Sequence, residues 1–294
     1  MTDSPGLRDR AFVGLQHLLP QHLLSRGMRE LTRVELAPFK DLLISGFLKL
    51  YDIDMNEAEN PDPHSYASFN AFFTRALRAG ARPLDASPQA LVSPVDGQVS
   101  QAGPLDGETL VQAKGLSYTA TDLLGGDAAL ASEFAGGSFA TIYLAPFNYH
   151  RIHMPVTGTL RTAVYAPGDL FSVNAVTAAN VPRLFARNER VACVFDTPAG
   201  PVALVLVGAL FVGSMSLVWA GEVTARRPAR NTVLPLPSPA PELARGAEMG
   251  RFNMGSTVVM LFPRDRMRLD AQLSPGRVVR MGERIGECLE TRPA

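Results

Sequence analysis

The chain has 294 residues, of which 46% are hydrophobic and 19% charged, and its formal net charge is +0. This suits a folded protein with a substantial core, as one large domain or two small ones, and excludes long disorder. The balanced charge supplies no basic field for nucleic acid. The two cysteines, Cys193 and Cys288, lack metal-site spacing, fit a reducing compartment and are expected to pack as small hydrophobes. No cleaved signal peptide is expected at the N-terminus. No apolar run approaches the ~20 residues that cross a bilayer, so a membrane contact would be peripheral.

From Ala11 to Tyr51 the pattern is helical and amphipathic. Phe12, Leu15, Leu18 and Leu19 repeat at helical spacing, Pro20 interrupts, and Leu23, Leu24, Met28 and Leu31 continue the apolar face. Arg26, Arg29 and Arg33 share another face. Pro38 suits the first turn of a further helix striped by Phe39, Leu42, Leu43, Phe47 and Leu50. Such helices usually pack on a core. The other reading is an interfacial set, with Leu and Phe in the headgroup boundary and the arginines on anionic lipid.

Residues 56–64 read as a loop, after which Ser68 caps a short helix carrying Phe69, Phe72, Phe73 and Leu77. Beyond Pro83, turn residues separate short β-branched runs, as in a β-rich body. Asp96-Gly97 carries a hairpin signal. Thr119 with Asp122 resembles a capping box. Strands are expected at 138–144, 159–165, 191–195, 202–207 and 211–219, followed by a proline-rich exposed loop at 228–241 and a strand, glycine turn and strand at 276–287.

His150 and His153 stand three apart in an extended stretch, where they point to opposite faces, so no metal site is expected. The only lysines are Lys40, Lys49 and Lys114. Lys114 alone falls in the strand-rich body and reads as an exposed strand-end residue, so no pyridoxal-phosphate site is expected.

Gly255-Ser256-Thr257 opens the apolar run Val258–Phe262, which reads as a buried strand. Gly255 leaves its carbonyl unshielded, and the Ser256 hydroxyl can attack it if a base takes the proton. By itself the tripeptide reads as a turn into a strand.

The chain resembles the bacterial phosphatidylserine decarboxylases of the longer type with N-terminal helices. The resemblance rests on Ser-Pro-Val-Asp-Gly (93–97), Tyr-His-Arg-Ile-His-Met-Pro (149–155), Gly-Asp-Leu-Phe-Ser-Val-Asn (168–174), Asn-Val-Pro-Arg-Leu-Phe-Ala-Arg-Asn-Glu-Arg (180–190) and Val-Gly-Ala (207–209). It continues through Val-Gly-Ser (212–214), Trp-Ala-Gly (219–221), Glu-Met-Gly-Arg-Phe (248–252) and Gly-Ser-Thr (255–257). Met254 stands where the family usually has leucine, a change close in volume and apolarity.

The resemblance implies an α+β protein with an N-terminal helical, membrane-associating region (1–82). The catalytic body (83–294) is expected to be a β-rich sandwich like the barrel-sandwich hybrids of biotinyl and lipoyl carriers. It implies self-cleavage between Gly255 and Ser256 into a β chain (1–255) and an α chain (256–294), with Ser256 becoming a covalent pyruvoyl group. Asp96, His153 and Ser256 map onto the family's processing triad, with His153 as base and Asp96 orienting it. His150 maps onto a histidine of the decarboxylation step. The pyruvoyl carbonyl forms a Schiff base with the substrate's serine amine and acts as electron sink, giving phosphatidylethanolamine and carbon dioxide. The implied setting is the cytoplasmic face of the cell membrane, on anionic lipid. The α/β heterodimer is left open to further dimerisation. Arg151, Arg187 and Arg190 are open candidates for the phosphate. The rival reading is a Ser-His-Asp serine hydrolase without self-processing.

Overall fold

The computed structural model describes residues 6–212, 214–223 and 230–289, so Gly213, residues 228–229 of the proline-rich stretch and residues 290–294 fall outside it. The architecture is α+β: N-terminal helices precede a strand-rich body of antiparallel sheets. Three helices, α1 (Leu7–Leu18), α2 (Gln21–Thr32) and α3 (Ala37–Leu50), follow the expected periodicity, with Pro20 between the first two and Pro38 in the first turn of the third. The short α4 (Phe69–Phe73) is capped by Ser68, whose Oγ accepts the Ala71 N–H at 3.2 Å.

The largest sheet runs, in spatial order, through Thr232–Val233, Gly158–Ala166, Arg190–Thr197, Gly200–Val207, Thr257–Phe262, Ser138–Tyr143, Gly97–Pro104 and Val278–Val279. Glu242–Leu243 also pairs with Gly158–Ala166. The order is an open path rather than a closed ring among the described residues. Thr257–Phe262 lies in its middle, with Thr257 opposite Val207 on one side and Tyr143 on the other. All six of its side chains are buried, as its unbroken apolar run requires of a strand covered on both faces. A second sheet pairs Gly221–Glu222, Met215–Leu217, Glu248–Phe252 and Arg151–His153. A third joins Ala90–Val92, Arg284–Cys288 and Met267–Leu269.

Apolar packing falls into two clusters. The larger fills the strand body; the smaller gathers Ile44 of α3 with Phe69, Phe72 and Phe73 of α4. Met254 packs against both, so the residue before the Gly-Ser pair lies on the seam between helices and sheets.

Helices α1 and α2 turn the expected arrangement over. Their buried residues are Gln16, Gln21, Ser25 and Thr32, whereas Phe12, Leu15, Leu18, Leu23 and Leu31 are exposed. Hydrogen bonds dock them. Gln16 Oε1 accepts the Ser172 N–H at 2.8 Å, Gln21 Oε1 accepts the Leu170 N–H at 2.7 Å, and Ser25 Oγ accepts the Phe211 N–H at 3.1 Å.

Three expectations need correction. Arg29 and Arg33, placed on lipid by their helical face, instead bind Glu222 on the body at 2.9 and 3.0 Å. Asp96-Gly97 is not a hairpin turn: Ala90–Val92 pairs with Arg284–Cys288, and Gly97–Pro104 pairs with Ser138–Tyr143. Gly97 is there for close approach, since a Cβ on it would stand 2.5 Å from the Tyr143 carbonyl oxygen. Finally, the strand expected over 211–219 is confined to Met215–Leu217, because Phe211 takes a left-handed φ of 69° that breaks it.

Candidate active site

Gly255 and Ser256 lie in the short link between Glu248–Phe252 and Thr257–Phe262. The Ser256 carbonyl accepts the Leu144 N–H at 2.8 Å, which fixes the entry to the central strand. The Ser256 side chain is fully buried, and its Oγ has no hydrogen-bond partner among the described residues. A buried hydroxyl left unpaired is costly.

His150 stands against this turn. A Cβ built on Gly255 would lie 3.3 Å from His150 Cε1, so the glycine makes room for the imidazole as well as baring its own carbonyl. Phe73 of α4 stacks on the ring at 4.1 Å between centroids and 16° between planes. His150 Nε2 donates to the Pro146 carbonyl at 3.2 Å, while Nδ1 is buried without a partner. Complete burial pushes this histidine down to about 3, with the nearby Arg75 guanidinium adding to the effect, so it is neutral at pH 7.

His153 turns to other partners. Its Nδ1 faces the Gly246 carbonyl at 2.8 Å, which can only accept, so Nδ1 carries the proton. Nε2 therefore accepts from the Tyr149 hydroxyl at 2.9 Å. Burial lowers the affinity of His153 for a second proton, against the pull of Gly246.

Asp96 is close enough for its charge to act on His153, and the His153 N–H donates to the carbonyl of Pro94 at 2.9 Å. The carboxylate itself is held by Arg82 at 2.6 Å and by the Met281 N–H at 2.8 Å. Arg82 also binds Glu57 at 2.7 Å. Burial alone would lower this guanidinium, but the bonds to Asp96 and Glu57 outweigh it and hold it above its ordinary value.

The sequence-predicted residues thus form two pairs, Asp96 with His153 and His150 with the Gly255-Ser256 turn. Among the described residues no hydrogen bond joins Asp96 to His153 or His153 to Ser256. Arg151 binds Glu248 and the Thr74 carbonyl, Arg187 binds Asp169, and Arg190 is buried on the Leu123, Asn188 and Asp122 carbonyls. None of the three lines the cavity beside Gly255. Sequence reasoning missed Phe73, Arg82 and Tyr149 as partners of the predicted residues.

A cavity of about 270 Å³ opens at Gly255. Phe47 and Tyr51 of α3, Phe73, Val173, Leu210 and Phe211 line much of it, with Ser172 and Asn174 as polar groups. It is a mostly apolar pocket with Met254 and Gly255 in its wall, an arrangement suited to a molecule with an apolar body. Among the described residues no group of three or more His, Cys, Asp or Glu side chains could hold a metal.

Fold and site together define a chain with a buried Gly-Ser turn between a helical layer and a sheet. The family model described as phosphatidylserine decarboxylase matches residues 69–287, and a second, described as PSD, matches residues 11–52. A protein of Ectopseudomonas mendocina is 52% identical over 282 residues, covering 95% of this chain and 99% of the relative. One of Stutzerimonas stutzeri is 51% identical over 290 residues, 98% of each, and one of Bordetella pertussis is 53% identical over 280 residues, 95% and 94%. All three are named phosphatidylserine decarboxylase proenzyme. The chain belongs to the phosphatidylserine decarboxylase family.

Proposed function

We propose that this chain is a lyase of phospholipid biosynthesis, made as a proenzyme, that decarboxylates phosphatidylserine to phosphatidylethanolamine and carbon dioxide. The observation that carries the reading, in a chain of this family, is the buried, unpartnered Ser256 hydroxyl next to Gly255 at the head of an apolar cavity.

Processing begins when the Ser256 oxygen bonds to the Gly255 carbonyl carbon. The Gly255–Ser256 C–N bond breaks and the hydroxyl proton ends on the freed amine. Loss of the Ser256 α-proton then expels the Gly255 carboxylate and leaves a 2-aminoacrylyl end. Water replaces its nitrogen, which leaves as ammonia, and the pyruvoyl group results. His153 is the base toward Ser256, and Asp96 orients and stabilises the imidazole. Both are buried, and the Asp96 charge favours protonated His153. In the uncut chain Nε2 is occupied by Tyr149, Nδ1 by the Gly246 carbonyl and Asp96 by Arg82, so the reading requires these bonds to be exchanged during cleavage.

The pyruvoyl group, once formed, supplies a carbonyl that condenses with the substrate amine and draws electrons from the departing carboxylate. The position of Ser256 suits it, being buried beside a cavity and free of competing hydrogen bonds. His150, neutral and with Nδ1 unpartnered, positions the carboxylate or returns the proton to the α-carbon.

The exposed apolar faces of α1 and α2 rest on an anionic membrane, at the cytoplasmic face of the cell membrane, so that the acyl chains stay in lipid. No described helix is long and apolar enough to cross a membrane. The working protein is the α/β pair made by cleavage, with residues 1–82 as the membrane-associating part and a barrel-sandwich-hybrid-like body from residue 83.

Intact-mass spectrometry of the purified protein, with and without borohydride and phosphatidylserine, tests this. Two chains are expected, the smaller beginning at position 256 with a pyruvoyl mass and gaining the lipid amine on reduction. A chain that stays whole on membranes, with Ser256 intact, would overturn the reading.

A further inference from the structure

Between Asn253 and Ser256 only Met254 and Gly255 intervene, so what fixes Asn253 fixes the approach to the bond that is cut. Asn253 is buried and held at four points. Its N–H donates to the Ser214 carbonyl at 3.1 Å, and its carbonyl accepts from Asn70 Nδ2 at 2.7 Å. Its Nδ2 donates to Ser214 Oγ at 2.7 Å and Ser216 Oγ at 3.1 Å.

Ser214, itself 2% exposed, is the hub. Its Oγ accepts from Asn253 Nδ2 and from Nη2 of Arg33, the residue that ends α2, the latter at 3.2 Å, which takes both of its lone pairs. Glu222 receives Arg29 at 2.9 and 3.0 Å and Arg33 at 3.0 Å. An unbroken polar chain therefore runs from α2 through one hydroxyl to the residue that begins the cleavage turn.

We propose that Arg33, Ser214 and Asn253 are positioning residues for self-cleavage, through which the docking of α2 on the body holds the Gly255 carbonyl within reach of the Ser256 hydroxyl. The proposal rests on self-cleavage at this bond. Attack needs the reacting atoms about 3–3.5 Å apart, and a misplacement of about 1 Å can cost a hundredfold. Met254 and Gly255 alone supply little stiffness, because glycine is conformationally permissive. The anchors are Asn253 before them and the Leu144-bound Ser256 carbonyl after them. After cleavage Asn253 is no longer tied covalently to position 256, so the clamp matters to the making of the enzyme and not to its turnover.

The test follows cleavage of freshly synthesised full-length chain on denaturing gels, for wild type, Arg33→Met, Ser214→Ala, Asn253→Ala, Ser214→Thr and the Arg33→Met/Ser214→Ala double variant. Each of the first three variants is expected to slow cleavage about tenfold, the scale of one charge-assisted or buried hydrogen bond. Ser214→Thr keeps the hydroxyl and is expected to restore the rate to within about threefold. Because both residues act through one hydroxyl, the double variant should be no slower than Ser214→Ala alone. Decarboxylation per pyruvoyl group should stay at the wild-type value in every variant once cleaved. Wild-type cleavage rates in Ser214→Ala, strictly multiplicative losses in the double variant, or an equal fall in turnover per pyruvoyl group would each overturn the proposal. An uncut wild-type chain would instead sink self-cleavage itself, and this inference with it.

Discussion

Strand Thr257–Phe262 buries every side chain it has, whereas α1 and α2 bury Gln16, Gln21, Ser25 and Thr32 and leave Phe12, Leu15, Leu18 and Leu23 in the open. The strand is held by non-directional apolar packing together with its ladder, and the helices by hydrogen bonds with fixed partners. Net stabilisation from one such bond is about 0.5–1.5 kcal/mol, while full burial of a leucine contributes about 1.5–3 kcal/mol. The helices therefore add register and little stability, and they leave those apolar side chains on the surface. Apolar packing and polar docking are assigned to different parts of one chain.

Four variants sharpen or break that contrast, each compared by denaturant unfolding in the uncleaved Ser256→Ala background. The largest effect belongs in the strand body. Leu206→Ala, fully buried in Gly200–Val207 beside the central strand, is expected to cost about 2–5 kcal/mol. A loss below 1 kcal/mol would mean that the sheet is not the stable part.

Next comes Gln16→Leu, which makes α1 a better hydrophobe yet leaves the Ser172 N–H without its acceptor. A loss of about 1–3 kcal/mol is expected; a gain would show that the polar docking face is dispensable. On the seam between the regions, His150 stacked on Phe73 gives stability a pH dependence. In the unfolded chain histidine takes up a proton below about pH 6.5, while buried His150, pushed down to about 3, does not. The unfolded state then holds the extra proton, so stability falls as pH falls through that window, by about 1 kcal/mol per unit. His150→Gln should flatten the slope between pH 7 and 5, and an unchanged slope would mean that the ring is not sealed from water.

The smallest change in stability is expected for Leu15→Ser with Leu18→Ser, within about 0.5 kcal/mol. The same pair should weaken binding to phosphatidylglycerol vesicles severalfold, as read by co-sedimentation. Unchanged sedimentation would separate the outward apolar face from any role at lipid.

Much of the architecture was legible because it is local. Helical spacing, Pro20, Pro38, the Ser68 cap and the apolar run after Thr257 each act within a few residues. What spacing could not tell was which way a stripe faces. It marked the leucines of α1 and α2 as one face, but the groups that capture the opposite face, Leu170, Ser172, Phe211 and Glu222, lie more than a hundred residues away. The same limit applies at the site. Gly255 and Ser256 were visible as an exposed carbonyl next to a hydroxyl. The partners that define their surroundings, Phe73 on His150, Arg82 on Asp96 and Ser214 on Asn253, are long-range pairings. A glycine at 97 beside an aspartate read as a turn for that reason, since the Tyr143 carbonyl that requires it comes from another strand.

The middle position of Thr257–Phe262 has a consequence for the two-chain product. A chain starting at residue 256 would keep this strand hydrogen-bonded on both sides, Val278–Val279 at the edge of the same sheet, and Met267–Leu269 and Arg284–Cys288 in another. Such a fragment is woven through its partner rather than docked on it. Dilution would not separate the two, and fragments from different molecules would not exchange without complete unfolding. Each active centre would remain for its lifetime with the polypeptide that produced it, and the persistence of the pair would be set by an unfolding rate instead of a dissociation constant.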